Sequence, residues 1–430
     1  MQALKLVALI VVVFVLAQLN QWSILDKVFF ALVALLLIAR LWSRLSLVGL
    51  RLTRETRTDR AQVGQPLLER VRVENRSRLG KLFVEVLDHS DLPGHRVSRV
   101  VNLGPHDAWR WRVETVCSRR GRFRIGPMTL RSGDPFGLFP AVKSVPETSE
   151  LLVYPATVDL SAFSLPVGEL PGGNAIQRRT PFVTPNATGV RDYFPGDAFN
   201  RIAWSATART GKLMVKEFEL DPTADIWIVV DLERAAHVGA TRPQAAAPTM
   251  RDDEIPLWYW LDSTEEYAVT VAASLARNFL NQNRNVGLIA SSERAITIPT
   301  DRGARQMIKI LEQLAVARAD GMMPLGELLL AESAQFSRNS TVIVVTSSVD
   351  DAWVQSLITI ISRRVQCVAI VIEPGTFGAA ESSLFVVSSL ASIGAPTYLV
   401  KYGDDISRAL ATHAASMPIR HGPSVNRSSS

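Results

Sequence analysis

Two carboxylates stand at the end of an apolar run. The stretch Ile226–Leu232 reads as a buried strand, and it brings Asp231 and Glu233 to its C-terminal end. A second polar group, Thr346-Ser347-Ser348 with Asp350 and Asp351, ends the apolar run Thr341–Val345. In open α/β sheets, ligands bind outside the carboxyl ends of the strands. An enzymatic reading therefore uses Asp231 and Glu233 as a carboxylate pair, with Asp350 or Asp351 as a further member. Other chemistry finds little footing. There is no GxxxxGK[ST] phosphate loop and no GxSxG elbow. Cys117 and Cys367 lack zinc-type spacing, and Cys367 opens an apolar strand as a core residue. His89, His95 and His106 have no regular spacing, which points to satisfied or exposed side chains over a metal site.

The elements that must hold these residues change character along the chain. Residues 63–165 alternate in short β runs, Leu68–Val73, Leu82–Leu87, Val97–Leu103, Trp109–Val116, Phe123–Ile125 and Leu151–Val153, separated by Gly/Pro turns. This predicts a β-sandwich-like domain. Residues 166–221 form a Pro/Gly-rich linker and a distinct charged segment. Residues 222–417 alternate buried strands with helical windows such as Ser263–Gln282, as expected of an α/β domain with a mostly parallel sheet. Residues 237–257 read as a mobile insertion after the first of these strands, and 418–430 as a disordered tail.

The first 45 residues hold two apolar runs, Leu6–Leu19 and Val28–Ala39, around Asp26 and Lys27. They are expected to form a transmembrane helical hairpin. Arg40, Arg44, Arg51, Arg54, Arg57 and Arg60 follow, so the positive-inside rule places both ends in the cytoplasm of a two-pass, inner-membrane protein. Residues 46–62 are expected to be a basic juxtamembrane helix against the lipid bilayer. The formal charge of +6 divides into +5 over residues 1–60, +6 over 61–220 and −5 over 221–430. The basic balance is thus local, and the mixed-sign central segment argues against nucleic acid, which needs an unopposed basic stripe.

That central segment, residues 189–219, reads as a turn, a helix and a strand. Pro195-Gly196 turns the chain, Asp197 caps a helix over Ala198–Arg209, and Gly211 suits the left-handed residue that ends it. Its groups Arg191-Asp192-Tyr193, Pro195-Gly196-Asp197, Arg201-Ile202-Ala203-Trp204, Ala208-Arg209-Thr210-Gly211-Lys212 and Lys216-Glu217-Phe218-Glu219 resemble the signature of the bacterial domain of unknown function 58 family. The upstream run Asp134-Pro135-Phe136-Gly137-Leu138-Phe139 is similar to that family as well. The resemblance implies a von Willebrand factor A-like α/β domain and association with a MoxR-type AAA+ ATPase, without an established catalytic activity. The charged signature residues either face a partner or pack between domains as matched ion pairs; the pairing of signs and Trp204 favour packing.

Von Willebrand A domains hold Mg²⁺ with Asp-x-Ser-x-Ser, a Thr and a later Asp. Here Asp231 matches the first position, Glu233 and Ala235 replace the serines, Met322–Gly326 offers no side-chain oxygen, and Ser347 stands where the second Asp belongs. The site is degenerate for a hard octahedral cation, and no cofactor is expected. The resulting expectation is a membrane-anchored, non-enzymatic adapter for a MoxR-type ATPase in assembly or maturation of envelope proteins. The alternatives are the carboxylate enzyme and a purely structural membrane scaffold.

Overall fold

The computed structural model describes residues 2–20, 22–163, 165, 187–192, 203–218, 225–240, 255–293, 295–338, 340–378 and 381–411. Most of the expected linker, most of the 237–257 insertion and the 418–430 tail lie outside these residues. The chain divides into two compact units, Met1–Ala156 with Met250–Glu254, and Thr157–Thr249 with Ile255–Ser430.

Unit one begins with helices α1 (Gln2–Asn20) and α2 (Ser23–Ser46). Their Phe14 and Phe29 rings meet at 5.2 Å. The expected transmembrane hairpin is overturned: among the described residues, no helix is long and apolar enough to cross a membrane. The physical reason lies in the interruptions. A span needs about 20 consecutive apolar residues. Lys5 and Gln18 bound the apolar run in α1, while Asp26, Lys27, Arg40 and Arg44 bound that in α2. The two-pass inner-membrane localisation rested on that hairpin and falls with it.

The expected basic helix over 46–62 is also replaced, by strands β1 (Leu50–Thr56) and β2 (Arg60–Gln62). Leu50 and Leu52 are buried while Arg51 is exposed, a period of two that a helix cannot produce. Then follow β3 (Pro66–Asn75), β4 (Lys81–Asp88), β5 (Arg99–Leu103), β6 (Ala108–Val116), β7 (Gly121–Ile125), β8 (Met128–Gly133), β9 (Pro140–Val145) and β10 (Ser149–Tyr154). Antiparallel sheets of order β1-β3-β6 and β5-β4-β8-β9 enclose one core of Leu52, Val71, Val73 and Trp111 against Val84, Val86, Val101 and Leu130. A third sheet, β2-β10-β7, completes the unit.

The loop Asp134–Phe139 is tied by one buried side chain. Asp134 accepts the amides of Phe136, Leu138 and Phe139 at 3.0, 3.2 and 2.6 Å. Three backbone donors that a turn leaves open are satisfied at once, which explains why an Asp opens this run.

Unit two contains a two-stranded sheet, β11 (Ala187–Asp192) with β12 (Met214–Phe218), flanking α3 (Trp204–Thr210). The main body adds β13 (Ile226–Val230), α4 (Thr264–Asn281), β14 (Val286–Ser291), β15 (Ala295–Asp301), α5 (Ala304–Val316) and α6 (Leu325–Ala331). It ends with β16 (Thr341–Thr346), α7 (Ala352–Ser362), β17 (Gln366–Ile372), α8 (Leu384–Ser392), β18 (Thr397–Val400) and α9 (Ile406–Ala411). The sheet runs β15-β14-β13-β16-β17-β18; only β15 is antiparallel. The architecture of the chain is thus mixed α/β with several antiparallel sheets.

The apolar run at β13 is continuous because both faces of the sheet are covered. Ile226, Ile228 and Val230 join the core under α4, α5 and α9, whereas Trp227 and Val229 join that under α6, α7 and α8. Gly287 stands directly across from Trp227, where a Cβ would come within 2.7 Å of the indole ring. The glycine makes room for the ring in the sheet interior.

Candidate functional site

Strand order reverses between β13 and β16: β14 follows β13 on one side, and β17 follows β16 on the other. Their carboxyl ends mark the switch point of the sheet, the place where open α/β sheets bind ligands. Asp231 leaves β13 fully buried there, its amide donating to the Val345 carbonyl at 2.9 Å. Both carboxylate oxygens have partners: Oδ1 accepts the Glu233 amide (3.0 Å) and Oδ2 the Thr346 hydroxyl (2.6 Å). Burial pushes the Asp231 carboxyl up, against the opposing pull of Thr346, His237 and the Glu233 amide.

The structure therefore brings Asp231, Glu233 and Ser347 to one strand end. Glu233 is half-buried. Its carboxyl is also raised, by burial first and then by the charges of Asp231 and Asp350; the Leu325 amide pulls it down and Glu327 adds to the rise. Asp351 turns elsewhere, accepting the Ser389 hydroxyl at 3.1 Å. Ser347 is buried, and its hydroxyl donates to the Ala236 carbonyl at 2.6 Å.

His237 organises this end and was not among the residues singled out above. Its Nε2 donates to the Asp231 carbonyl (2.7 Å), and its Nδ1 lies 3.0 Å from Thr264 Oγ1 and 3.2 Å from Ser347 Oγ. Six residues after Asp231, it closes the turn back onto the strand. Nothing in the spacing links it to Thr264 or Ser347; only the fold does.

These contacts limit the chemistry. Ser347, His237 and Asp231 are neighbours, but the Ser347 proton goes to a carbonyl and His237 meets the backbone of Asp231, not its carboxylate. This is not the relay a nucleophilic serine requires. For a metal, Ala235 contributes no side-chain oxygen, and Asp231 already bonds an amide and a hydroxyl. Among the described residues, no group of three or more His, Cys, Asp or Glu side chains could hold a metal ion. Replacing Thr346 by Val is expected to destabilise unit two by about 1–3 kcal/mol, because a buried carboxylate loses its hydroxyl donor. Urea unfolding of the variant measures it.

The signature residues are divided. Arg191 and Asp192 lie on β11 opposite Val215 and Met214, while Lys216 and Glu217 lie on β12 opposite Val190 and Gly189. Tyr193, Gly196, Asp197, Arg201 and Glu219 lie outside the described residues. Gly211 ends α3 at φ 69°, the left-handed conformation its type suggested. Trp204 is 66% exposed and α3 buries no residue. Arg209 and Lys212 are exposed.

Comparison with known families finds its match in the second unit. Residues 189–248 and 261–376 match the family described as "Protein of unknown function DUF58". The DUF58 match thus spans β11, α3, β12 and the strands β13 to β17, and it includes Asp231, Glu233, His237 and Ser347. The "Uncharacterized protein YeaD" of Bacillus subtilis is 25% identical over 236 residues, covering 54% of this chain. The match spans about half of that relative's own length, 52%. The "Uncharacterized protein Rv1480" of Mycobacterium tuberculosis is 24% identical over 52% of this chain and 67% of its own. Among solved structures, the pilus adhesin SpaC of Lactobacillus rhamnosus GG aligns with 45% of this chain and 29% of its own at 12% identity, with a TM-score of 0.31. That likeness is too distant to bear on fold or function.

Proposed function

We propose that this chain is a non-enzymatic interaction protein whose second unit, a von Willebrand factor A-like domain, docks a partner at the carboxyl ends of its parallel strands. One observation carries the reading: the strand-end groups are committed internally while the rim beside them is open. Asp231 and Ser347 are enclosed and hydrogen-bonded. Next to them Gly321 pairs with Glu233, and the following Met322 is 83% exposed. A mobile thioether beside the half-buried Glu233 carboxylate suits an adaptable protein contact.

The partner class suggested by resemblance to the DUF58 family is a MoxR-type AAA+ ATPase, in assembly or maturation of envelope proteins. Purified ATPase titrated against the full chain, with and without nucleotide, tests this. Binding is expected to weaken at least about tenfold in Met322→Asp/Glu233→Lys, the loss of roughly one hot spot. No binding by the native chain in either nucleotide state, or equal binding by the variant, removes the reading.

The raised carboxyls of Asp231 and Glu233 favour a second reading, an acid–base enzyme. An Asp231→Asn/Glu233→Gln variant that folds and binds the partner but loses all cellular function would favour it.

A further inference from the structure

The outer face of the β1-β3-β6 sheet carries an arrangement that sheet stability alone does not call for. Register pairs Arg70 with Arg112 and Arg72 with Arg110 directly across β3 and β6. All four side chains lie on the face turned away from the core, since Val71, Val73, Trp111 and Val113 take the inner positions. Like charges placed directly opposite destabilise a strand pair, and here two such pairs sit in successive rows. Only Arg72 of the four is in a salt bridge among the described residues, a long contact of 3.7 Å to Glu74. Its Nε is buried without a hydrogen-bond partner.

The surroundings define what would fit. Glu55 stands across from Arg70 on β1, Glu114 lies one row beyond Arg112, and Glu74 lies one row beyond Arg72, itself faced by Arg51 and bridged by Arg76 at 3.3 Å. The four arginines are thus a compact cationic square, with Glu55 and Glu114 beside it. These two carboxylates interrupt the surface that a continuous polyanion, whether a nucleic-acid backbone or an anionic bilayer, would cover. No position in these rows is aromatic, so bases have no stacking platform. A segment with two acidic residues at alternate positions covers the square without reaching Glu55 or Glu114. Residues two apart on a strand are separated by about 6.6 Å and neighbouring strands by about 4.8 Å. An extended peptide has the same spacing, so the carboxylate of one residue falls over the Arg70–Arg112 pair and that of the residue two further on over Arg72–Arg110. Each would accept charge-assisted hydrogen bonds from two guanidinium groups.

We propose that the arginine square on β3 and β6 is a docking surface for an extended acidic segment of a partner protein, with Asp or Glu at alternate positions. It lies in unit one and does not depend on the reading of the strand-end face in unit two.

Fluorescence anisotropy of the full chain with a labelled threonine nonapeptide carrying two glutamates at alternate central positions tests it, with the two-lysine counterpart as control. The expected result is saturable binding of the acidic peptide that weakens with salt and falls at least about tenfold in Arg70→Gln/Arg112→Gln. The thermal midpoint of that variant is expected to be unchanged or higher, because a like-charge pair has been relieved. Arg112→Lys keeps the charge but loses the fork, and binding is expected to fall there too. This milder variant stands in if the double variant does not fold. Absence of peptide binding, or binding equal in native and variant chains, overturns the proposal. So does tighter binding of duplex DNA or of phosphatidylglycerol vesicles through the same arginines.

Discussion

Replacing Arg54 by Met is expected to destabilise unit one by about 3–5 kcal/mol, the usual cost of leaving buried charge uncompensated. Arg54 enters the sandwich from β1 and meets Glu69 of β3 (3.4 Å) and Asp88 of β4 (3.0 Å). His95 Nε2 lies 3.1 Å from Glu69 and 3.4 Å from Asp88, and its Nδ1 is 2.9 Å from Thr115 Oγ1. Thr56 donates to the other Glu69 oxygen at 2.9 Å. The side chains of Glu69, Asp88 and His95 are 4% exposed or less, so solvent screens these charges weakly. The cluster joins the β1-β3-β6 sheet to β4 of the facing sheet, and its loss loosens both. Urea unfolding at neutral pH measures the effect; a cost below about 1 kcal/mol would mean that water reaches the cluster as it does a surface ion pair.

The same network sets an acid limit. Burial alone would raise the Glu69 carboxyl, but the His95 hydrogen bond, the Arg54 charge and Thr56 outweigh it and hold the group below its ordinary 4.5. A depressed carboxyl contributes stability that is complete above the unfolded value and is lost as pH falls through the folded one. Unit one is therefore expected to weaken below about pH 4.5. In Arg54→Met the acid-dependent loss should be smaller, because one of the groups that depress Glu69 is gone and its folded value lies closer to the unfolded one. An acid titration of the urea midpoint for both proteins compares the two losses.

Much of unit two could be read from residue patterns, because a doubly covered parallel sheet writes long apolar runs into its strands. Ile226–Leu232 and Thr341–Val345 were legible as strands for this reason, and so was the convergence of Asp231, Glu233 and Ser347 at their ends. What stayed hidden was long-range or two-faced. His237 is tied to Thr264 and Ser347 by contacts that no spacing encodes. Arg54 lies in a row of arginines that looked like one interfacial helix, yet its side chain turns into a buried cluster while Arg51 faces out. The apolar runs near the start have transmembrane character by composition; the charges that bound them decide their length. The arginine square is invisible in the chain because Arg70 and Arg112 become neighbours only through strand register.

Gly321→Ala is expected to be the most damaging single methyl in unit two, at about 3 kcal/mol or more. Gly321 is held on both sides: its amide donates to the Leu232 carbonyl at 3.1 Å, and its carbonyl accepts from Arg234 at 2.9 Å. A Cβ here would overlap the carbonyl oxygen of Ser291 and come within 3.1 Å of the Leu232 carbonyl oxygen. Both obstacles are backbone, so no side chain can rotate away. Nor can the strand retreat, because Ser291 Oγ accepts the Leu232 amide at 2.9 Å and ties the ends of β13 and β14 together. Relief requires moving the Gly321 segment outward, which breaks its pairing with Glu233 and shifts Met322 and Met323. Stability and partner binding should therefore fall together. Gly239→Ala is the control: a Cβ there has nothing within 4 Å, and the expected change is within about 0.5 kcal/mol. Urea unfolding of both variants, with ATPase binding measured on the folded fraction, tests this; a Gly321→Ala protein as stable as Gly239→Ala would show that the strand end yields and that the pairing of Gly321 with Glu233 does not hold Met322 in place.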